Sequence, residues 1–163
     1  MPFEKTSKGA GDAETRITEI GIELPSPPTP FGAYAEAVRS GNLLFLSGTL
    51  PVLNGRPQYH GRLGTDLNAE QAWSATRLAA LNALAIAREH LGSLNHVSRI
   101  VRLGVMLATG DDSLDLPKVA DAASELFLEI FGPDKTSVRV VYGVASLPLG
   151  LPVELEVTFE IVT

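Results

Sequence analysis

Four consecutive apolar residues at positions 43–46, Leu-Leu-Phe-Leu, constrain the fold of this chain more than any other short segment. Successive side chains of a β-strand point to opposite faces of the sheet, so this segment needs apolar surroundings on both faces. We therefore predict a central strand over 43–47, preceded by a strand over 33–39 and a turn at 40–42. A further strand with apolar residues on both faces is predicted over 98–108.

The end of the chain shows a different strand pattern. Residues 153–161 alternate between apolar and polar side chains, which is typical of a strand with one buried face. The apolar face consists of Val153, Leu155, Val157, Phe159 and Ile161, and the other face of Glu154, Glu156, Thr158 and Glu160. A strand over 136–145 precedes it, and a short strand is predicted near 59–62, after an Asn54-Gly55 turn.

Two main helices are predicted between these strands. The first begins at 69 and ends near 90–92, and its alanine-rich face follows a capping-box-like start at Asn68. The second covers 116–131, with Pro117 in its first turn and Gly132 just beyond its end. The abundance of alanine in the first helix predicts a close approach to the surface that it covers.

The first 30 residues differ in character from the rest of the chain. Residues 1–11 are predicted to be a polar tail and 12–20 a short helix. The proline-rich segment 25–30 must be extended, because proline removes a backbone donor and disfavours helical geometry in the preceding residue. We therefore divide the chain into an N-terminal tail, helix and connector over 1–30 and one domain over 31–163.

The element order β-β-(β)-α-β-α-β-β predicts an α+β domain, a mixed β-sheet with the two main helices packed on one face. Helices on one face leave the other face of the sheet open, yet several strands are apolar on both faces. A single subunit would expose part of this second apolar face to water. Patches of this kind usually mark association, so we expect the protein to form an oligomer.

The charge balance and composition exclude several classes of function. Lys and Arg together number 13 against 19 Asp and Glu, and the formal net charge is −6. Nucleic-acid binders need clustered positive charge to neutralise phosphates, so this balance argues against a nucleic-acid partner. The absence of cysteine excludes disulfides and thiolate ligands. No apolar run approaches the roughly 20 residues that cross a bilayer, and the N-terminus is polar, so we expect a cytoplasmic protein without membrane contact.

Three ordered segments carry a family resemblance. The first is Phe31-Gly32-Ala33-Tyr34, followed by Gly-Asn-Leu-Leu-Phe-Leu-Ser-Gly-Thr-Leu-Pro at 41–51. The second is Val138-Arg139-Val140, and the third is Ala-Ser-Leu-Pro at 145–148, leading into Val-Glu-Leu-Glu at 153–156. In this order, flanking the two predicted helices, they resemble the RidA/YjgF (reactive-intermediate deaminase-like) family over most of the chain.

The resemblance implies a chorismate-mutase-like fold and a homotrimer with small-molecule clefts between its subunits. Family members with demonstrated chemistry hydrolyse enamines and imines derived from amino acids, releasing ammonia without a cofactor or a metal. By the same resemblance, Arg139 would bind the carboxylate of the substrate, and Glu154 would position or activate water. Tyr34, Ser47 and Gly48 would line the cleft.

Each candidate also has a structural interpretation. An always-charged guanidinium among valines needs a carboxylate partner, so Arg139 binds either a ligand or a glutamate of the last strand. Glu154 belongs to an acidic row whose crowding would raise one pKa toward a useful value for a base, or else the row is a solvated face. Tyr34 could be a packing residue, and Ser47-Gly48 a simple turn. The three histidines lack metal-site spacing and are expected at the surface, and Trp73 is expected in the core.

The pairing of the last two strands bears on where the site lies. If they form a simple hairpin, Arg139 faces the region of residue 159, about five residues from Glu154, or roughly 16 Å at strand rise. Under that register, a cleft that contains both side chains would be completed by a neighbouring chain.

The sequence therefore predicts a cofactor-free hydrolase or binder of small carboxylate-bearing metabolites, with enamine or imine deamination as its most specific form. The alternative is a non-catalytic small-molecule sensor or regulatory trimer. It is favoured by Val140 and Val141, where the family's deaminases have a small polar residue and a cysteine, and by Gly143, where they have a polar or acidic residue. Endoribonuclease activity, a third hypothesis, is disfavoured by the net charge of −6.

Overall fold

The structure is a computed structural model that describes residues 12–110 and 114–162. The tail predicted at 1–11 lies outside the described residues. In chain order the elements are α1 (Ala13–Glu19), β1 (Ala37–Ser40), β2 (Leu43–Leu46), β3 (Val52–Leu53), β4 (Arg56–Pro57), α2 (Ala69–Leu91), β5 (Val97–Ala108), α3 (Leu116–Phe131), β6 (Val138–Val144) and β7 (Val153–Ile161). This order confirms the predicted α+β class.

Five strands form one mixed sheet in the order β1-β2-β7-β5-β6. Strands β5 and β6 are parallel, and the other neighbours are antiparallel. The strand predicted to be central, β2, has a neighbour on each side, and so does β5, the other strand predicted to be apolar on both faces. The strand expected near 59–62 is not formed, so that expectation was wrong. The hairpin considered for the last two strands is not formed either, because β5 lies between them.

Helices α2 and α3 cover one face of this sheet and enclose the core. Asn68 and Gln71 form a capping box at the start of α2, which ends at Gly92 in a left-handed conformation. Fully buried alanines along α2 bring its backbone close to the sheet, because a methyl group adds little thickness. Leu103 and Phe159 are fully buried beneath the helices. Trp73 is only partly buried, with Arg77 over its ring, so the expectation of a core tryptophan was wrong.

Helix α1 is tied to the ends of the main helices. Ile17 is 4% exposed and belongs to the core, and the guanidinium of Arg88 donates to both carboxylate oxygens of Glu14, at 3.2 and 2.7 Å. The extended segment that follows α1 has no regular secondary structure, as the prolines predict. Among the described residues, no helix combines the length and the apolar character needed to span a bilayer.

The face of the sheet opposite the helices exposes large apolar side chains. Val38 and Phe45 are 54% and 42% exposed, and Val138 and Tyr142 are 69% and 46% exposed. The register places Val38 opposite Phe45, and Met106 opposite both Tyr142 and Glu154. We call this surface the open face. It is the second apolar face that the strand pattern predicts.

Candidate functional site

Four of the five predicted site residues meet in one cleft at the margin of the open face. The cleft has a volume of about 430 Å³ and is lined by Phe31, Tyr34, Ser47, Gly48, Leu50, Pro148, Leu149 and Glu154. Strand β2 ends just before Ser47, and β7 begins just before Glu154. Paired backbone hydrogen bonds between Thr49 and Leu155, at 2.8 and 2.9 Å, hold the two segments together.

Because Gly48 has no side chain, the carboxylate of Glu154 has room beside it in the cleft. A Cβ atom at position 48 would overlap Oε1 of Glu154 and would lie 2.7 Å from its Cδ. Any side chain at this position would therefore displace the carboxylate. Among the described residues, no hydrogen bond is made to the backbone N–H of Gly48, which leaves a donor beside this carboxylate.

The electrostatic setting of Glu154 differs from that of its neighbours on β7. Glu156 lies 3.5 Å from Arg102 and Glu160 lies 3.9 Å from Arg99, whereas Glu154 lies opposite Met106. Within the described part of the chain, Glu154 forms no ion pair. Partial burial of this group raises its pKa above the ordinary value of 4.5. Desolvation is thus the cause of the shift, and the crowding of carboxylates suggested by the sequence is not.

Tyr34 and Ser47 are fixed by contacts with the segment that leads into β1. The hydroxyl of Tyr34 accepts a hydrogen bond from the backbone N–H of Phe31 at 3.2 Å, and its side chain is 49% exposed. The hydroxyl of Ser47 donates to the carbonyl of Ala35 at 2.6 Å. A half-exposed phenol over the cleft is not a packing residue, and its own proton remains available to a ligand.

Arg139 does not line this cleft in the single chain. Its Nη1 donates to Oδ1 of Asp121 at 2.7 Å and to Oγ of Ser124 at 3.2 Å, both on α3. Arg139 lies opposite Leu103 on β5, and Glu154 lies opposite Met106. Positions 103 and 106 differ by an odd number, so the two side chains are on opposite faces of the sheet. The carboxylate partner expected on the last strand is instead an aspartate of the helix.

A narrow recess adjoins the cleft and contains a carboxylate that the sequence did not single out. This recess, of about 30 Å³, shares Tyr34, Ser47 and Gly48 with the cleft and is also lined by Glu36. Glu36 follows Tyr34 by two positions and is flanked by alanines. The two-residue spacing of a strand could have placed it on the same side as the tyrosine.

The described residues contain no group of three or more His, Asp or Glu side chains arranged to hold a metal ion. His60, His90 and His96 are exposed, as expected. Nδ1 of His96 lies 3.0 Å from the carbonyl of Leu91 at the end of α2.

Comparisons with known proteins agree with this architecture. The model of a family described as "YjgF/chorismate mutase-like, putative endoribonuclease" matches residues 14–157. Protein TCP17 of Trypanosoma cruzi is 32% identical over 153 residues, which are 93% of this chain and 96% of that protein. Reactive Intermediate Deaminase A of Arabidopsis thaliana chloroplasts is 26% identical over 155 residues, 95% of this chain and 71% of that protein.

A solved structure from Shewanella oneidensis MR-1, also described as a putative endoribonuclease, superimposes with a TM-score of 0.87. It is 33% identical to this chain, and the superposition covers 92% of this chain and 99% of that one.

Proposed function

Because this chain belongs to the RidA/YjgF family, we propose that it is a cofactor-free hydrolase or binder of small carboxylate-bearing metabolites. The most specific form of this activity would be the deamination of enamines or imines in clefts between the subunits of a homotrimer. The observation that carries the proposal is the setting of Glu154, half-buried against Gly48 in a cleft and without the arginine partners of Glu156 and Glu160.

The proposed chemistry uses Glu154 as the base. Its carboxylate takes a proton from a water molecule while the oxygen of that water attacks the carbon of a C=N bond. The protonated Glu154 returns this proton to the nitrogen, which gives a carbinolamine. Transfer of the hydroxyl proton of the carbinolamine to the nitrogen, again through Glu154, releases ammonia and leaves a carbonyl compound, so one imine and one water give one oxo acid and one ammonia. A carboxylate whose pKa is raised by burial is a stronger base than an exposed one, and it needs no metal for this step.

The assembly and the carboxylate anchor are part of the same proposal. The exposed apolar side chains of the open face, Phe45 and Tyr142 among them, support association into a trimer. Among the described residues, those that line the cleft include no lysine or arginine, so a carboxylate ligand needs a cation from another element. Arg139 lies on the edge strand β6, and its side chain is 26% exposed. It would serve a neighbouring cleft by exchanging Asp121 for the ligand.

A non-catalytic sensor is the second candidate, and specific residues favour it. Strand β6 has Val140, Val141 and Gly143, where deaminases of the family have groups able to bind or orient a substrate. A cleft of this kind would bind a ligand without turning it over.

The test measures the release of ammonia from an enzymatically generated 2-imino acid. We expect Glu154→Gln to lower turnover by about 100-fold, because the amide keeps the shape of the side chain but accepts no proton. Glu156→Gln is the matched control on the same strand and should change turnover by less than about twofold. Binding of a stable oxo-acid analogue, measured by calorimetry, should survive in both variants.

Arg139 is tested by the same binding assay. We expect Arg139→Ala to weaken binding of the oxo acid by about tenfold or more, and Arg139→Lys to restore only part of it, since an ammonium lacks the two-pronged geometry. Equal binding by all three proteins would remove Arg139 from the site and leave it as the partner of Asp121. If the wild type binds but accelerates no hydrolysis, the sensor replaces the enzyme.

A further inference from the structure

The recess beside the cleft contains a carboxylate oxygen without a partner. Oε2 of Glu36 is buried and, among the described residues, accepts no hydrogen bond. A buried carboxylate oxygen loses the hydrogen bonds of water, and this loss is costly unless a donor replaces them. The recess that Glu36 lines has a volume of about 30 Å³, enough for one small polar group.

The backbone around Glu36 is held in place, so its position does not depend on a ligand. Its carbonyl accepts from the backbone N–H of Ser47 at 2.9 Å, and the strand β1 begins at the next residue. Ser47 and Gly48 line both the recess and the cleft, and Glu154 lies against Gly48. The two carboxylates therefore line adjoining cavities that share the Ser47-Gly48 segment.

The charge of this site is negative. Its lining residues include Glu36 and Glu154 but, within the described part of the chain, no lysine or arginine. Cavities lined by one sign of charge favour ligands of the opposite sign, and a desolvated carboxylate favours charged donors in particular.

We propose that Glu36 forms a subsite for a protonated nitrogen, and that it selects ligands carrying an ammonium or iminium group over the corresponding oxo acids. The proposal rests on the proposed function, because the ligand must occupy the same cleft. The nitrogen would enter the recess and donate to Glu36. The rest of the molecule would lie over Phe31, Leu50 and Leu149, on the side of Gly48 where Glu154 lies.

The experiment compares two probes that differ at one position, L-alanine and pyruvate, by calorimetry with the full chain. We expect Glu36→Gln to weaken binding of L-alanine by about tenfold and binding of pyruvate by less than about twofold, because only alanine has a charged nitrogen to lose. Glu36→Asp keeps the charge but has a side chain shorter by one methylene group. It should therefore weaken binding of L-alanine by less than Glu36→Gln does. Glu125→Gln, at an exposed position on α3, is the control for a simple change in net charge.

Equal weakening of both probes would overturn the proposal, and so would unchanged binding of L-alanine. Failure of the wild type to bind L-alanine at tens of millimolar would do the same. Melting temperatures of the variants separate a lost contact from a lost fold. Ammonia release tests the proposed function separately: wild-type turnover in Glu154→Gln would remove Glu154 as the base, absence of turnover in the wild type would reject the hydrolase, and either result leaves the role of Glu36 standing.

Discussion

The two faces of the central sheet are built from alternate residues of the same strands, yet they have different roles. On β7, Phe159 and Leu155 point under the helices and are fully buried, whereas Glu154 and Glu156 point to the open face. On β2, Leu44 is 2% exposed and its neighbour Phe45 is 42% exposed. The covered face supplies the cohesion of the subunit. The open face carries the exposed apolar surface and, at its margin, the candidate site.

This contrast separates residues that determine stability from residues available for association and chemistry. A substitution of a buried core residue on the covered face should act within one subunit, because its neighbours belong to the same core. A substitution on the open face should leave the isolated subunit intact and act on assembly or on ligands.

The largest effect is expected for two phenylalanines on adjacent strands. Phe159 lies opposite Leu44 under the helices, and Phe45 lies opposite Thr158 on the open face. Phe159→Ala should lower the free energy of unfolding by about 3–5 kcal/mol, because it removes buried surface and leaves a cavity. Phe45→Ala should lower it by less than about 1 kcal/mol, measured by urea unfolding at concentrations too low for association. Similar losses in the free energy of unfolding at both positions would mean that the two faces contribute equally to the stability of the subunit.

Assembly should respond to the open face alone. We expect the wild type to run as a trimer of about 52 kDa, three times the chain mass of 17.3 kDa, in size exclusion coupled to light scattering. Phe45→Glu should give the monomer mass, because it places a charge in an apolar contact. Leu128→Glu is the matched control, since Leu128 on α3 is also 42% exposed. Dissociation by the helix variant, with Phe45→Glu still trimeric, would place the interface on the wrong face.

A smaller effect is expected for a substitution that tests the contact between Gly48 and the carboxylate of Glu154. Gly48→Ala should lower turnover by about as much as Glu154→Gln, because the new methyl group displaces the carboxylate. If the glycine acts only through this carboxylate, the double variant should match either single variant. Additive losses in ammonia release would show that Gly48 has a separate role, such as donation from its backbone N–H.

Local patterns predicted the elements well because each helix and strand has its own signals. Helix α3 has Pro117 in its first turn and ends just before Gly132, as these two residues predict. Strand β7 covers the whole alternating segment. Strand order is a different problem, since it depends on contacts between distant segments. Nothing within residues 136–161 indicates that β5 inserts between β6 and β7.

The candidate site was predictable only as far as the resemblance reached. The resemblance selected Tyr34, Ser47, Gly48 and Glu154, which the fold brings into one cleft. It did not indicate that Arg139 would be paired with Asp121, because that pair depends on the packing of α3 against β6. Glu36 was missed because its orphaned oxygen is a property of the folded recess, which no spacing rule describes.

The smallest expected effect concerns the ionisation of Glu154. Burial raises its pKa above the ordinary value of 4.5, so the folded state binds the carboxyl proton of Glu154 more tightly than the unfolded state does. The resulting stabilisation is fully present below the ordinary pKa and is lost as the pH rises through the higher pKa of the folded state. Glu154→Gln cannot ionise and should not show this loss.

We therefore expect Glu154→Gln and the wild type to melt at similar temperatures near pH 4, with the variant more stable near pH 7 by less than about 4 °C. The partial exposure of the group keeps the difference small. Glu156→Gln should show no such gain, because it removes a carboxylate that Arg102 pairs. A variant at position 154 that melts below the wild type near pH 7 would contradict this account. In that case a cation from a neighbouring subunit would stabilise the ionised form of Glu154.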